Sequence, residues 1–186
     1  MRSIMQVRPR TSYADLERLP DDGRRYELYD GEVVELSSPT YRHQRVGLNI
    51  SVMLRNYEAA HGGRVVPAPF DIVLTQYDVV EPDVVFFVEE RVSLLDTFGV
   101  ARVPPDLAVE VLSPGTASND RGRKKHLLAR FGVREYWLVD PIGNRLECYV
   151  LRNDAYILEA AVTGADFLDS RVLAGLTVSA KHIFEP

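Results

Sequence analysis

Two almost uninterrupted apolar runs constrain the fold of this chain more than any other feature. The runs are DVVFFV at residues 83–88 and DLAVEVL at residues 106–112. A strand with one face in water alternates apolar and polar residues, whereas a strand covered on both faces is apolar throughout. The two runs therefore predict central strands of a sheet that is covered on both faces.

Two helical patterns can supply this cover. From Tyr41 to His61 apolar side chains recur at helical spacing, and Gly62 and Gly63 follow as a stop signal. A second helix is predicted from about Asn119 to Phe131, where Gly132 ends it. Helices on a sheet of buried strands are typical of an α/β protein.

Shorter patterns complete the order of elements. Thr11 or Ser12 begins a short capped helix that ends before Pro20, and Asp30 and Gly31 form the turn of a hairpin. Further strands are predicted at residues 64–66 and 70–74 and in the segments EYWLVD, RLECYVL and AYILEAAV, with a short terminal segment around AKHIF. No linker divides the chain, so residues 1–186 are predicted to form one α/β domain with a mixed central sheet flanked by α-helices.

Composition excludes several classes of protein. With 186 residues, 46% hydrophobic and 26% charged, the chain can bury a core without disulfides or a structural metal. The single Cys148 excludes a disulfide framework and a multi-thiolate zinc site. No apolar run approaches the ~20 residues of a membrane-spanning helix, and the start, MRSIMQVRPRTS, lacks a signal-peptide core. We therefore expect a cytoplasmic protein without a membrane partner.

One segment is strongly basic in an otherwise acidic chain. The net charge of −5 argues against a protein that coats nucleic acid without sequence preference. Between residues 121 and 134, however, six basic residues and no acidic residue occur. Four of these lie beside or outside the apolar stripe of the second helix: Arg121, Arg123, Lys125 and Arg130. The segment predicts a contact with nucleic acid or, equally, a solvated helix face with no partner.

Two carboxylates stand where a buried strand favours none. Asp83 begins one apolar run and Glu110 lies within the other. A buried carboxylate is costly unless a cation or hydrogen-bond donors compensate it. The alternatives are that Asp83 only closes a turn before its strand and that Glu110 faces outward at an end of the sheet.

Lys124 is the candidate cation. At about 100° per residue it lies at the centre of the helix stripe that contains Leu127, Leu128 and Phe131, so its charge is directed towards the sheet. Its side chain could instead extend to the rim of the stripe and reach solvent. Two carboxylates beside a lysine suit Mg²⁺, which binds carboxylates and phosphate oxygens, and the natural reaction is hydrolysis of a phosphodiester.

Five motifs occur in order along the chain. They are RYELYDGEVV, SPTYRHQRV, EPD with Asp83, VEVLSP with Glu110, and DRGRKKHLLARFGVREYWLVDP with Lys124. Together they resemble the PD-(D/E)XK nuclease superfamily, and in particular its Uma-two family of predicted restriction endonucleases. The resemblance extends from about Tyr26 to Tyr149, and only the combination of motifs is specific.

This resemblance implies a restriction-endonuclease-like fold and a metal-dependent active site. Asp83 and Glu110 would bind Mg²⁺ or Mn²⁺, with the carbonyl of Val111 as a third ligand. Two positions after Glu110 stands Leu112 instead of the lysine of the superfamily signature. The catalytic lysine would therefore be Lys124, supplied by the following helix.

Other positions near the motifs have less specific expectations. Glu27 and His43 lie in segments that the family places near the active site, where they would support the site or touch substrate. Otherwise Glu27 is an exposed hairpin residue and His43 an ordinary residue of a helix. Asp120 is interpreted as a helix N-terminal acid that favours the helix dipole. Leu128 stands where the family often has tyrosine, so no hydroxyl is expected there.

Three functional hypotheses follow from these residues. The leading one is a magnesium- or manganese-dependent endonuclease that hydrolyses phosphodiester bonds of DNA. The second is a protein of the same fold that binds nucleic acid or a protein partner without cleaving it. The third is a metal-dependent hydrolase of a small phosphorylated substrate. The superfamily likeness also suggests a homodimer.

Overall fold

The chain folds into an α/β structure in the computed structural model, which describes residues 9–20 and 22–186. Residues 1–8, part of the segment in which no signal peptide is expected, lie outside the described residues. The helices are α1 (Tyr13–Leu16), α2 (Tyr41–His61), α3 (Glu89–Val92), α4 (Ala117–Asn119), α5 (Lys125–Arg130) and α6 (Ala180–Ile183). The strands are β1 (Tyr26–Tyr29), β2 (Glu32–Glu35), β3 (Arg64–Pro67), β4 (Ile72–Thr75), β5 (Asp78–Val80), β6 (Val84–Phe87), β7 (Leu107–Val111), β8 (Glu135–Asp140), β9 (Arg145–Arg152), β10 (Ala155–Thr163), β11 (Phe167–Asp169) and β12 (Thr177–Ser179).

A six-stranded mixed sheet is the centre of the structure. Its strand order is β10-β9-β8-β7-β6-β3, with β7 and β8 parallel and every other neighbouring pair antiparallel. The two apolar runs form β6 and β7, both inside the sheet and buried along their whole length. The prediction of a mixed central sheet built on these two runs is confirmed.

Both faces of this sheet are covered. Helix α2 packs its apolar side chains Val46, Ile50 and Leu54 against one face, in the same cluster as Val109 and Trp137. On the other face, Leu127 and Leu128 of α5 lie in a cluster with Ala108, Tyr136 and Leu138. Successive residues of a strand point to opposite faces. Glu110, two residues after Ala108, therefore points to the α5 side.

A second, four-stranded antiparallel sheet covers part of the α5 side, and the sequence did not predict it. Its strand order is β2-β1-β5-β4. The predicted hairpin of β1 and β2 is confirmed, with Asp30 and Gly31 at φ 52° and 79° as a tight turn requires. The segment at 70–74 is also a strand, but it lies in this second sheet instead of the central one. Strand β5 is only three residues long and gives too short a pattern to detect.

The predicted second helix is not a regular α-helix. Between α4 and α5, residues Asp120–Lys124 form a π-helical turn. The Tyr136 hydroxyl donates a hydrogen bond to the carbonyl of Asp120 at 3.0 Å, which gives that carbonyl a partner where the ladder is irregular. A π-helical turn has more residues per turn than an α-helix. The α-helical rotation of about 100° per residue therefore describes the side-chain directions only from Lys124 onward. Helix α5 ends at Arg130, one residue before the predicted end at Phe131, and Gly132 follows with a φ of 79° as the predicted stop signal.

The remaining chain carries β11 and β12, which pair with each other, and α6 in the predicted terminal segment. The two short strands were not predicted. The segment from Ser170 to Val172 is held by a single buried carboxylate, that of Glu135 at the start of β8. Glu135 accepts hydrogen bonds from the Trp137 indole at 2.6 Å, from the Arg171 and Val172 amides at 2.8 and 3.0 Å, and from the Ser170 hydroxyl at 3.1 Å. Within the described residues, no helix is long and apolar enough to cross a membrane.

Replacing Glu135 by alanine is expected to lower the free energy of unfolding by about 3 kcal/mol or more. The change leaves several buried donors without an acceptor, which costs more than the loss of an exposed contact. Glu159→Ala is the matched control, because this exposed carboxylate only forms an ion pair with Arg171 and should cost less than about 1 kcal/mol. Urea unfolding of both variants measures the difference, and equal losses of stability would contradict this role of Glu135.

Candidate active site

The amine of Lys124 lies between the two sheets and contacts a carboxylate from each. Its Nζ is 2.8 Å from Oε1 of Glu110 on β7 and 2.7 Å from Oε1 of Glu27 on β1. The Lys124 side chain is only 2% exposed, and Glu27 is fully buried. The structure therefore places Lys124 inward, as the helical spacing indicated, and it does not extend to the rim. The interpretation of Glu27 as an exposed hairpin residue is wrong.

Asp120 is a third carboxylate beside this lysine, and the sequence analysis missed its position. Its Oδ1 lies 3.7 Å from Lys124 Nζ, and its side chain is 3% exposed. Asp120 does lie in the first turn of its helical segment, as the sequence indicated, but its buried carboxylate faces Lys124. Its spacing of four residues from Lys124 could have revealed it, because residues four apart share a helix face.

A hydrogen-bonded network fixes Glu27. The Tyr29 hydroxyl donates to Glu27 Oε2 at 2.6 Å and accepts from the Asn119 amide at 2.8 Å. The backbone N–H of Glu81 donates to Glu27 Oε1 at 2.8 Å. Glu27 is thus fully enclosed. It holds the Lys124 amine in place, but it does not itself reach a substrate. Tyr29 and Asn119 were not singled out in the sequence, although alternation along β1 places Tyr29 on the same face as Glu27.

Asp83 lies just before β6, and its carboxylate is hydrogen-bonded to the end of β7. The Val111 backbone N–H donates to Asp83 Oδ2 at 2.7 Å. His43, in the first turn of α2, brings Nε2 to 3.3 Å from the same oxygen. The structure thus brings Asp83, Glu110 and Val111 together at one edge, with His43 beside them. The His43 ring atom Nδ1 is buried and has no hydrogen-bond partner within the described residues.

The site holds more acidic than basic groups. Burial raises the pKa of Glu110 well above its usual value; Lys124 opposes this, while the nearby charges of Asp120, Asp83 and Glu27 add to it. Burial acts to lower the pKa of Lys124, but Glu110 and Glu27 outweigh it and raise that pKa well above its usual value. The pKa of His43 is also raised: burial opposes the shift, and the bond to Asp83 drives it. The site therefore favours an added cation, and Lys124 stays protonated.

The donor set fits a hard divalent cation. Oε1 of Glu110 contacts Lys124 and Oδ2 of Asp83 accepts from Val111, whereas the other oxygen of each carboxylate has no hydrogen bond within the described residues. Both carboxylates and Val111 line a small cavity of about 40 Å³. No cluster of three or more acidic, His or Cys side chains in the described part of the chain has the geometry of a metal site. Two carboxylates with a backbone carbonyl are nevertheless enough for Mg²⁺, which keeps several waters.

A larger open cleft adjoins this small cavity. It has a volume of about 410 Å³ and lies between α2 and the segment Pro67–Pro69. Both spaces share the lining residues Arg25, Pro39, His43 and Asp83. A group bound in the cleft would therefore lie directly beside the carboxylates.

The four basic residues expected to contact nucleic acid lie outside these two spaces. Each already has a partner within the chain. Arg121 pairs with Glu147 at 2.7 Å, Arg123 with Glu32 at 3.0 Å, Arg130 with Asp78 at 3.1 Å, and Lys125 Nζ lies 3.4 Å above the Tyr149 ring. Three of the four side chains remain at least 41% exposed, Arg121, Arg123 and Arg130. Contact with phosphates stays a prediction, and it would require an exchange of partners at these residues.

The fold and this arrangement together define a class of protein. A mixed sheet with Glu110 on β7, Asp83 just before the adjacent strand β6, and a lysine from the helical segment that follows β7 is the arrangement of a restriction-endonuclease-like structure of the PD-(D/E)XK superfamily. A family model for the Uma-two family, described as "Putative restriction endonuclease", matches residues 13–181. The chain belongs to this family.

Comparison with solved structures gives a matching fold. A crystal structure described as "a putative nuclease belonging to DUF820 from Anabaena variabilis ATCC 29413" has a TM-score of 0.77, with 93% of this chain and 97% of that chain covered. The sequence identity is 16%, so the likeness shows the shared fold alone. A comparison with curated protein sequences gives no significant match.

Proposed function

We propose that the protein is a metal-dependent endonuclease that hydrolyses phosphodiester bonds of DNA. The observation that carries the proposal is the position of Lys124 Nζ, 2.8 Å from Glu110 on β7. The last residue of the same strand, Val111, donates a backbone hydrogen bond to Asp83. Two acids can hold a metal ion, and a lysine beside them can stabilise negative charge, which together support phosphodiester hydrolysis at an open cleft. Membership of a family described as restriction endonucleases supports DNA as the substrate.

Asp83, Glu110 and the Val111 carbonyl would hold Mg²⁺ or Mn²⁺. When bound, the metal would polarise the phosphoryl oxygen and lower the pKa of a water. The chain's own groups perform the positioning. Asp83 is fixed by the Val111 amide and His43, and Glu110 is fixed by Lys124. Carboxylates held in this way need little rearrangement when a cation binds.

Lys124 acts as a hydrogen-bond donor and as a positive charge. Because Glu110 and Glu27 raise its pKa, the amine keeps its proton at neutral pH and cannot accept one from water. A protonated amine beside the reacting phosphate would stabilise the charge that develops in the transition state. Glu27, together with Tyr29, keeps this amine aimed at Glu110.

Incubation of the purified protein with supercoiled plasmid and with single-stranded circular DNA tests this function. Cleavage of at least one substrate is expected with Mg²⁺ or Mn²⁺, and none with EDTA. Cleavage of a circle identifies an endonuclease, since an exonuclease needs a free end. Binding of DNA without any cleavage, in every metal, would favour the catalytically silent alternative.

A small phosphorylated substrate is the second candidate function. It is favoured by the pairing of the four basic residues with acids or an aromatic ring, which leaves few free cations for a long phosphate backbone. Cleavage of a mononucleotide ester as fast as a DNA circle would support this candidate over the endonuclease.

The basic residues Arg121, Arg123, Lys125 and Arg130 are expected to contribute electrostatic contacts with DNA. Neutralising any one should weaken binding for all sequences and reduce the slope of log K against log salt by about one unit. Fluorescence anisotropy over a range of salt concentrations measures both effects. Equal binding after all four are replaced by glutamine would identify the segment as a solvated face.

The outer strand β10 supports a homodimer. It is nine residues long at the edge of the central sheet, and Ile157 and Leu158 on it are 55% and 47% exposed. An apolar edge strand can pair with the same edge of a second copy, as two-fold symmetry allows. Sedimentation should find a dimer that Ile157→Lys with Leu158→Lys converts to a monomer, while the exposed Val52→Lys does not. A wild-type monomer at high concentration would contradict this arrangement.

The cytoplasmic location stays a prediction.

A further inference from the structure

The cleft between α2 and Pro67–Pro69 has an unusual lining for a protein that binds a polyanion. Most of its lining residues are neutral, among them Pro39, Gln44, Gly47, Leu48 and Ser51. Two basic groups line it, and each already has an acidic partner: Arg25 pairs with the buried carboxylate of Glu81, and His43 Nε2 lies 3.3 Å from Asp83. The cleft also borders Asp83, which repels phosphate. Its chemistry therefore favours a neutral, largely apolar group with a hydrogen-bonding edge.

The size of the cleft restricts this group further. A volume of about 410 Å³ lies near the lower end of the range for small-molecule sites, about 300–1,000 Å³. It can hold one nucleoside, but not a base pair with its stacked neighbours. A base reaches such a cleft only from a single strand or after it has left a duplex.

The position of the cleft places that base next to the chemistry. His43 and Asp83 line both the cleft and the small cavity at the carboxylates. A phosphate at the carboxylates would thus lie beside the base that occupies the cleft. Gln44 is exposed on the first turns of α2 and offers both a donor and an acceptor to the edge of a base.

We propose that this cleft is a nucleobase subsite, so that the enzyme acts on unpaired DNA and binds the base adjacent to the scissile phosphate. The proposal rests on the proposed function for the reaction itself. It adds the substrate class, single-stranded or locally unpaired DNA, and it names α2 as the element that selects this substrate.

Gly47 allows the cleft to be filled without damage to the fold. It lies within α2, lines the cleft, and a Cβ built on it meets no atom within 4 Å. The first side-chain carbon of Gly47→Leu therefore meets no neighbour, and the helical position favours leucine over glycine. Gly47→Ala is the matched control, because one methyl group leaves most of the cleft free. Circular dichroism should show both variants folded.

The decisive experiment measures two properties of the wild type and both variants. The first is anisotropy of a fluorescent single-stranded 12-mer in EDTA, with the blunt duplex of the same sequence as competitor. The second is Mn²⁺-dependent cleavage of single-stranded and duplex circles. We expect preference for the single strand, and Gly47→Leu should weaken both its binding and its cleavage at least about tenfold, as for loss of one base contact. Gly47→Ala should stay within about threefold.

The outcomes separate the two proposals. Cleavage by the wild type with unchanged binding and cleavage in Gly47→Leu would overturn the base subsite and leave the nuclease function in place. No cleavage by the wild type, with single-strand binding that Gly47→Leu removes, would overturn the function and support the subsite. Tighter binding of the duplex than of the single strand would also overturn the subsite.

Discussion

Replacing Lys124 by alanine or glutamine is expected to lower the rate of metal-dependent cleavage by about 100-fold or more. The amine is the cation that contacts Glu110 directly, and loss of one group that stabilises transition-state charge typically costs this much. The neighbouring Lys125 is the matched control, because its amine lies over the Tyr149 ring and away from the carboxylates. Lys125→Ala should weaken DNA binding slightly and leave the chemical step nearly intact.

Single-turnover cleavage at saturating enzyme separates chemistry from binding in these variants. Lys124 also neutralises buried carboxylates, so removing it is expected to lower stability, and alanine adds a cavity. Lys124→Gln keeps most of the volume, and its fold can be verified by circular dichroism before the assay. A folded Lys124→Gln that cleaves at the wild-type rate, or an inactive Lys125→Ala, would contradict the assignment of the catalytic lysine.

Glu110→Gln is expected to stabilise the metal-free protein while removing its response to Mn²⁺. The cluster of Glu27, Asp83, Glu110 and Asp120 carries more negative charge than Lys124 and His43 balance, and burial raises the free energy of each charge. Glutamine removes one charge and still offers Lys124 an acceptor. We expect a gain of about 1–2 kcal/mol without metal, which is an increase in Tm of about 2–8 °C.

Thermal unfolding with and without Mn²⁺ measures both parts of this prediction. Excess Mn²⁺ should raise the Tm of the wild type through binding to the folded state and leave the Tm of Glu110→Gln nearly unchanged. Glu90→Gln, an exposed position on α3, controls for the general effect of one lost charge. A Glu110→Gln variant that is less stable than the wild type without metal would indicate a structural role for this carboxylate.

The sequence predicted those parts of the fold and site that depend on local periodicity. The runs at 83–88 and 106–112 identify β6 and β7, because burial on both faces leaves a direct trace in composition. Lys124 was oriented correctly because the stripe used for it, with Leu127 and Leu128, extends into α5 and does not cross the π-helical turn. Asp83 and Glu110 were singled out because a carboxylate in an apolar run is conspicuous, whereas Val111 followed only from the family resemblance.

The parts that the sequence did not predict depend on irregular or distant structure. The π-helical turn changes the helical phase before Lys124, so the predicted position of Arg121 beside or outside the apolar stripe did not indicate its ion pair with Glu147 on β9. Glu27 reaches Lys124 from a second sheet, and local spacing holds no information on how two sheets pack. The partners of the basic residues are also distant in sequence, as for Arg130 and Asp78. The basic segment therefore did not indicate these ion pairs, although Arg121, Arg123 and Arg130 remain partly exposed.

The most direct test of the central claim is a calorimetric titration of Mn²⁺ into the wild type, Asp83→Asn and Glu110→Gln. Asparagine still accepts the hydrogen bond from Val111, so the site keeps its shape while it loses a charge. The wild type should bind Mn²⁺, and each variant should bind it at least about tenfold more weakly, whereas Glu90→Gln should match the wild type. Unchanged Mn²⁺ affinity in both Asp83→Asn and Glu110→Gln would show that these carboxylates are not the metal site.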